Sequence, residues 1–324
     1  VSRHRVLVTG ANGFVGQHML QHLRNLGVEC VATGRSRKEA CSTFQVPYYS
    51  CDLRRLNDVQ QLMSTVQPTC VIHLASDTNL SEARNDPTRF VYNNVLTTVN
   101  LLESGTTIVP TPHVVVIGSA HEYAAARTDS DRGLPYTEES PTRPANPYGW
   151  SKLFQTYVTR HYAYVRQCPT TIARTFNLIG PGAKNGICAK IANSIVQMER
   201  GEMEPNLVLG PTHMQRDFLD VRDAVSAYWH LADRAPLVPG EVFNVCSGTA
   251  IRLSHLVEMF RSISRVPFRV VEDAALSRPE EPEIVRGSAQ KLRDATGWSP
   301  KYTLKQSIAD ILADCRAGYP RDKG

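Results

Sequence analysis

The sequence predicts an α/β protein, a Rossmann-type doubly wound parallel sheet with a smaller C-terminal α/β lobe. Three observations predict it. Gly10, Gly13 and Gly16, spaced GxxGxxG, separate an apolar run (Arg5 to Val8) from a helical stretch (Gln17 to Leu23). Near-continuous apolar runs recur at Thr69–Ala75 and His113–Ser119, as parallel strands buried on both faces require. Between such runs lie stretches of helical spacing, such as Asn93–Leu102, in the alternation of βα units.

Composition narrows the class. A chain of 324 residues suffices for one large α/β domain or for two lobes sharing a cleft. No run approaches the ~20 apolar residues of a membrane span, so no membrane partner is expected. Eight scattered cysteines form neither a CxxC pair nor a zinc-site spacing, and no metal is expected. Val1-Ser-Arg-His leads straight into the first strand, so no signal peptide is expected and a cytoplasmic setting should keep the thiols reduced. The net charge of +5 is dispersed, which suits a nucleotide-diphosphate pocket and gives nucleic-acid binding no support.

Taken in order, the glycine turn is the first chemical signal. Glycine tolerates positive φ and lets the backbone approach a pyrophosphate, while the helix that follows offers N–H groups and a positive dipole end. A second strand, Glu29–Gly34, ends without the Asp or Glu that would bind the ribose hydroxyls of NAD. Arg35, Ser36 and Arg37 stand there instead, a basic set suited to a 2′-phosphate, and NADP(H) is expected over NAD(H). A third strand from Val46 leads into Asp52-Leu53, with Asp52 a possible cap for a helix from Arg54 to Val66. His73, inside the next strand, reads as a packed histidine. Ser119 closes the following strand, and ligand groups in open α/β sheets collect at such carboxyl ends.

Pro147-Tyr148-Gly-Trp-Ser-Lys152 opens a helix running to about Arg166. Tyr148 and Lys152 share one helical face, and the ammonium should draw the phenol down from its ordinary pKa of about 10. Such a tyrosine can exchange a proton at a carbonyl or carbinol carbon while NADP(H) carries the hydride. Further on, Ile187–Arg200 reads as an amphipathic helix, Leu207–Gly210 as a short strand and Glu241–Gly248 as a strand returning to the main sheet. Ile251–Ser264 reads as a helix, Phe268–Val271 as a strand and Leu304–Ala313 as the closing helix. Ala124–Pro147 is a long irregular loop of the kind that often forms a lid.

The glycine turn, the strand-end Ser119 and the YxxxK pair together resemble the extended short-chain dehydrogenase/reductases, in their nucleotide-sugar-modifying branch. The resemblance spans essentially the whole chain. It implies Ser119, Tyr148 and Lys152 as catalytic residues: Ser119 holds the substrate oxygen, Tyr148 is the acid/base, and Lys152 binds the nicotinamide ribose. It further implies a cofactor site of Gly10, Asn12, Gly13, Phe14, Val15, Gly16, Asp52, Leu53, Leu74, Ala75, Ser76 and Asn94, joined by Arg35, Ser36 and Arg37. Asn177 and Arg278 are implied as sugar-nucleotide contacts, and His121 and Glu122 as substrate neighbours. Arg216, in a stretch resembling the RDF-x-DVRD signature, suits the substrate diphosphate or its ribose, because a guanidinium donates in a fixed fork. Arg222 is open between that role and a capping salt-bridge cluster around Asp220 to Asp223. A homodimer through the 93–104 and 148–166 helices is also implied, as are a nucleotide-binding domain at 1–176 with 217–246 and a substrate lobe at 177–216 with 247–324.

The reaction depends on flanking residues. Sugar-nucleotide dehydratases resemble one another in carrying an acid directly after the serine or threonine of the triad, and this chain has Ala120 and His121 there. Glu122 comes one position later, where alternation should turn it away. Dual epimerase-reductases carry a Cys and a His where this chain has His121 and Gly182. Gly118–Tyr123, Arg216-Asp-Phe, Asn244–Gly248 and Arg278-Pro279 resemble GDP-6-deoxy-4-keto-mannose reductases. That resemblance implies NADPH-dependent reduction of a 4-keto nucleotide sugar. A 4-epimerase or dehydratase on the same triad, and a non-catalytic NADP sensor, are the competing expectations.

Overall fold

Strands form wherever the apolar runs lie. The computed structural model describes residues 4–35, 45–124, 133–233, 238–277 and 282–318. Its strands begin with β1 (Arg5–Thr9), β2 (Glu29–Gly34), β3 (Tyr48–Ser50), β4 (Cys70–His73), β5 (His113–Ser119), β6 (Thr170–Thr175) and β7 (Asn177–Ile179). They continue with β8 (Asn206–Leu209), β9 (Gln215–Asp220), β10 (Glu241–Val245), β11 (Ala250–Arg252), β12 (Arg269–Glu272) and β13 (Ile284–Val285). The first helices are α1 (Phe14–Asn25), α2 (Leu56–Val66), α3 (Leu80–Asn85), α4 (Pro87–Phe90), α5 (Thr97–Gly105) and α6 (Pro147–Val165). Then come α7 (Ile187–Glu199), α8 (Val221–Asp233), α9 (Leu253–Arg261), α10 (Gln290–Thr296) and α11 (Leu304–Gly318).

The main sheet has seven parallel strands in the order β10-β6-β5-β4-β1-β2-β3, the doubly wound arrangement expected. Its strands are buried on both faces. Val6 and Val8 join Met19, Leu20 and Leu23 of α1 and Val225 and Tyr228 of α8 in one core. Leu7, between them on β1, joins Val59, Leu62 and Met63 of α2 and Leu101 of α5 in the other. This alternation is the period-two geometry of a strand.

A separate core holds the smaller lobe, where Ile191 and Ile195 of α7, Leu256 and Phe260 of α9, and Ile308 and Ile311 of α11 meet. The stretch 217–246, expected with the nucleotide domain, divides. Its α8 and β10 join the main sheet, whereas β9 pairs with β7, β11 and β13 in a second sheet. The helix expected over Ile251–Ser264 begins later, because Ala250–Arg252 is taken up as β11 against β9. The helix expected from Asn93 starts as a π-helical turn, Val91–Leu96, before α5 takes over.

Asp217 fastens this second sheet. Fully buried, it accepts from the Ser247 amide (2.9 Å) and hydroxyl (2.6 Å), the Gly248 amide (3.0 Å) and the Gly287 amide (3.2 Å). Asp217→Ala is expected to cost about 1–3 kcal/mol for each buried N–H it strands, lowering the urea midpoint. A variant with the wild-type midpoint would show that the carboxylate is dispensable to the fold.

Candidate active site

The β1–α1 turn shows why glycine is required. Gly10 has φ +64°, and a Cβ there would lie 2.8 Å from the Ala75 amide nitrogen beyond β4. At Gly16 a Cβ would meet the Gly10 carbonyl oxygen at 2.3 Å. α1 starts at Gly13 with no side-chain cap and no acid in its first turn, so its N–H groups and dipole face a prospective anion unopposed. Asn12 donates to the Tyr48 hydroxyl (3.0 Å), which closes the turn against the end of β2. Phe14 and Val15 are half-buried at the head of α1. These features fit the pyrophosphate of a dinucleotide.

Arg35 follows β2, and its charge helps hold the Asp52 carboxyl below the usual range, after the larger effect of Arg54. Asp52 is forked by the Arg54 guanidinium at 2.7–3.2 Å, and the Leu53 carbonyl accepts from Asn100 (2.9 Å). Ser36, Arg37 and Arg278 lie outside the described residues. Leu74, Ala75 and Ser76 line the exit of β4, half-buried. Asn94 sits behind them and is fully buried. Its Oδ1 accepts from Ser76 and Asp77 while its Nδ2 donates to Asp77 and Ser151. All four hydrogen-bonding positions are thereby used within the protein, so Asn94 shapes the loop where a direct cofactor contact was expected.

Ser119, Tyr148 and Lys152 come together at the carboxyl end of β5. Asn146 caps α6 by accepting from the Gly149 amide (2.9 Å), and Pro147 starts the helix, which fixes where Tyr148 stands. Gly149 allows the close approach, since a Cβ there would meet the His121 carbonyl oxygen at 2.3 Å. The Ser119 hydroxyl faces the Tyr148 phenol and favours its ionised form. Lys152 donates to the Ile117 carbonyl (2.8 Å) and to Gln155 Oε1 (3.0 Å).

The expected depression of the Tyr148 pKa is absent. Burial dominates both groups, pushing the phenol up to about 12 and the Lys152 ammonium down to about 8. The ammonium lies 6.0 Å from the tyrosine ring centroid and is committed to other acceptors. Near neutral pH the pair is therefore a protonated phenol beside an ammonium.

The flanking residues separate into two groups. His121 lies edge-on to Tyr148, with ring centroids 5.6 Å apart, and its Nδ1 faces the Asn146 amide (3.4 Å). Glu122 is corrected: it has no exposed surface and turns away from the cleft. Its carboxylate accepts from the Ser119 amide (2.8 Å), Thr156 (2.8 Å) and the Arg174 guanidinium (2.9 and 3.1 Å). As N3 of a capping box on Ser119, it is a structural anchor and no substrate ligand. Arg174, which sequence reasoning passed over, carried no motif; only its place inside an apolar strand set it apart.

Asn177 opens β7 and donates to the Asp217 carbonyl (3.0 Å). Arg216 holds the Pro282 and Glu283 carbonyls (3.1 Å each). Arg222 falls on the structural side: it pairs with Asp220 (2.8 Å) and Asp310 (2.7 Å) and stacks on Tyr302.

A model of the NAD dependent epimerase/dehydratase family matches residues 6–246. GDP-6-deoxy-D-mannose reductase of Pseudomonas aeruginosa is 34% identical over 311 residues, covering 96% of each chain. UDP-glucose 4-epimerase of Azospirillum brasilense is 26% identical and covers 94% of this chain and 89% of its own length. Among solved structures, RMD from Pseudomonas aeruginosa complexed with NADPH matches with a TM-score of 0.84 at 33% identity, over 97% of this chain and 98% of that one. The glycine turn, the strand-end serine and the Tyr148–Lys152 pair all fall inside the matched stretch, and the chain belongs to the NAD dependent epimerase/dehydratase family, the extended short-chain dehydrogenase/reductases.

Proposed function

We propose that this chain reduces the 4-keto group of a GDP-linked 6-deoxy-4-ketohexose with NADPH. One observation carries it: a Tyr148 phenol kept protonated by burial and faced by Ser119, beside a glycine turn that fits a dinucleotide. The similarity to GDP-6-deoxy-D-mannose reductase supports the substrate class. Arg35, with Ser36 and Arg37 after it and no carboxylate at that strand end, supports NADP(H) over NAD(H).

NADPH, when bound, supplies the hydride. Ser119 orients the carbonyl oxygen, and Tyr148 Oη gives that oxygen its proton as the C–H bond forms at C4, leaving an alcohol. Lys152 holds the nicotinamide ribose and stabilises the phenolate left on Tyr148. Arg216 and Arg278 hold the substrate diphosphate, while Asn177 and His121 flank the sugar. Residues 1–176 with 221–246 form the cofactor side of the cleft, and 177–220 with 247–324 form the substrate side. Glu122, locked in its pair with Arg174, is not placed to be the second acid of a 4,6-dehydration.

The same helices support a homodimer. Trp150, Phe154, Tyr157 and Tyr164 are 39–60% exposed along one stripe of α6, and Val91 and Tyr92 are exposed on the neighbouring π-helical turn. A cytoplasmic location fits the described cysteines, which are free thiols, and cell fractionation checks it.

Purified protein should oxidise NADPH, in preference to NADH, with a GDP-4-keto-6-deoxyhexose and yield a 6-deoxyhexose product. Tyr148→Phe should lose about 10²–10⁴-fold in kcat and still bind NADPH. Conversion of the sugar nucleotide without net NADPH oxidation would replace the reductase with an epimerase; full activity in Tyr148→Phe would remove the triad. Because reduction needs both protons in place, activity should fall as pH rises through about 8, where Lys152 deprotonates, while Tyr148 at about 12 keeps its proton. A flat profile to pH 10 in kcat would contradict this, 10 being roughly the ordinary phenol value. Light scattering should give a dimer mass, and Trp150→Asp together with Tyr157→Asp should give a monomer.

A further inference from the structure

Behind the proposed catalytic lysine runs a buried chain of polar side chains that the mechanism has not used. Lys152 Nζ donates to Gln155 Oε1 (3.0 Å), and Gln155 Nε2 donates to Thr98 Oγ1 (2.7 Å). His73 Nε2 lies 3.1 Å from the same Thr98 hydroxyl, and His73 Nδ1 lies 2.9 Å from Thr9 Oγ1. Thr9 Oγ1 in turn accepts from the Ala75 amide (3.1 Å). Thr9, His73, Thr98 and Gln155 are at most 1% exposed.

Every proton in this chain has a determined direction. An ammonium can only donate, so Gln155 must present its oxygen to Lys152 and its amide to Thr98. Thr98 has a single proton, which goes to the Asn94 carbonyl (2.7 Å), so both Gln155 and His73 donate to Thr98. His73 therefore carries its proton on Nε2, and its bare Nδ1 receives the Thr9 hydroxyl. A doubly protonated His73 would set an Nδ1–H against the Thr9 hydroxyl that donates to it, and both its burial and the Lys152 charge oppose it.

We propose that Gln155, Thr98 and His73 are positioning residues, a directional tether that holds the Lys152 ammonium and ties it to the loop at Ala75. The tether joins β1, β4, α5 and α6, four elements that border the cofactor site. It deepens the proposed reductase reading, since it assigns the groups that keep Lys152 charged and in place. The charged or titratable groups facing Lys152 are Tyr148 on its own helix, Glu122 after β5, whose charge favours the ammonium, and His73 on β4.

The test compares Gln155→Leu with Gln155→Glu, reading NADPH affinity by calorimetry and kcat from pH 6 to 10. Leucine removes an acceptor from the ammonium, so the alkaline limb should move to lower pH. Glutamate adds a facing charge, so the limb should move to higher pH, each shift being about one unit. A residue that served packing alone would move the limb in neither direction, or in the same direction for both variants, and either result overturns the proposal. If a Gln155 variant fails to fold, Thr98→Val frees the Gln155 amide with little change of shape and should move the limb to lower pH; no movement overturns the tether.

¹⁵N spectra of the histidines should show His73 as the Nε2–H tautomer throughout, and a titrating or Nδ1–H His73 overturns it as well. The spectroscopic readout needs no sugar substrate, so an inactive wild type would refute the reductase reading and leave this one testable.

Discussion

Two turns of the chain meet where Gly10 lies against Ala75, and the rest of the site depends on that contact. A Cβ at Gly10 would sit 2.8 Å from the Ala75 nitrogen, so the end of β1 and the end of β4 approach each other only without a side chain. The Ala75 amide is not left bare, because Thr9, one residue before Gly10, accepts its proton (3.1 Å). One contact thus requires glycine for steric reasons and a hydroxyl beside it for polar ones. The α1 N-terminus is aimed by the same turn, and the Lys152 tether ends on it. A displacement at Gly10 would consequently be felt by both the anion site and the ammonium.

Much of this was legible in the sequence, because strand ends and helix starts are written in local residue chemistry. The apolar runs gave the main strands, GxxGxxG gave the turn, and Pro147 marked the start of the helix that carries Tyr148 and Lys152. What stayed hidden depended on contacts across the fold. Thr98 and Gln155 meet His73 and Lys152 only after α5 and α6 pack side by side, and no local pattern signals that meeting. β9 carries an apolar-acidic stretch that local reading places beside β10, yet its partners β7, β11 and β13 come from both sides of it in sequence. The sign of the Tyr148 shift was missed for a related reason: a helical spacing reports a neighbouring charge but not the burial that outweighs it.

Glu122 shows how a single side-chain direction limits the chemistry available. Three positions after Ser119, it could have been a second acid at the sugar. Its carboxylate is instead taken by the Ser119 amide, Thr156 and Arg174, all away from the cleft. A buried ion pair of this kind is weak evidence of stability, because desolvation offsets most of the attraction. Its consequence here is geometric: through the capping box it fixes the backbone that presents the Ser119 hydroxyl. With Glu122 held away, Tyr148 is the proposed proton donor at the end of β5, with Lys152 beside it. Elimination of water across two carbons needs an acid and a base at separate positions, whereas addition of a hydride and a proton to one carbonyl needs a single donor. The same turn that orients Ser119 therefore withholds Glu122 from that second role.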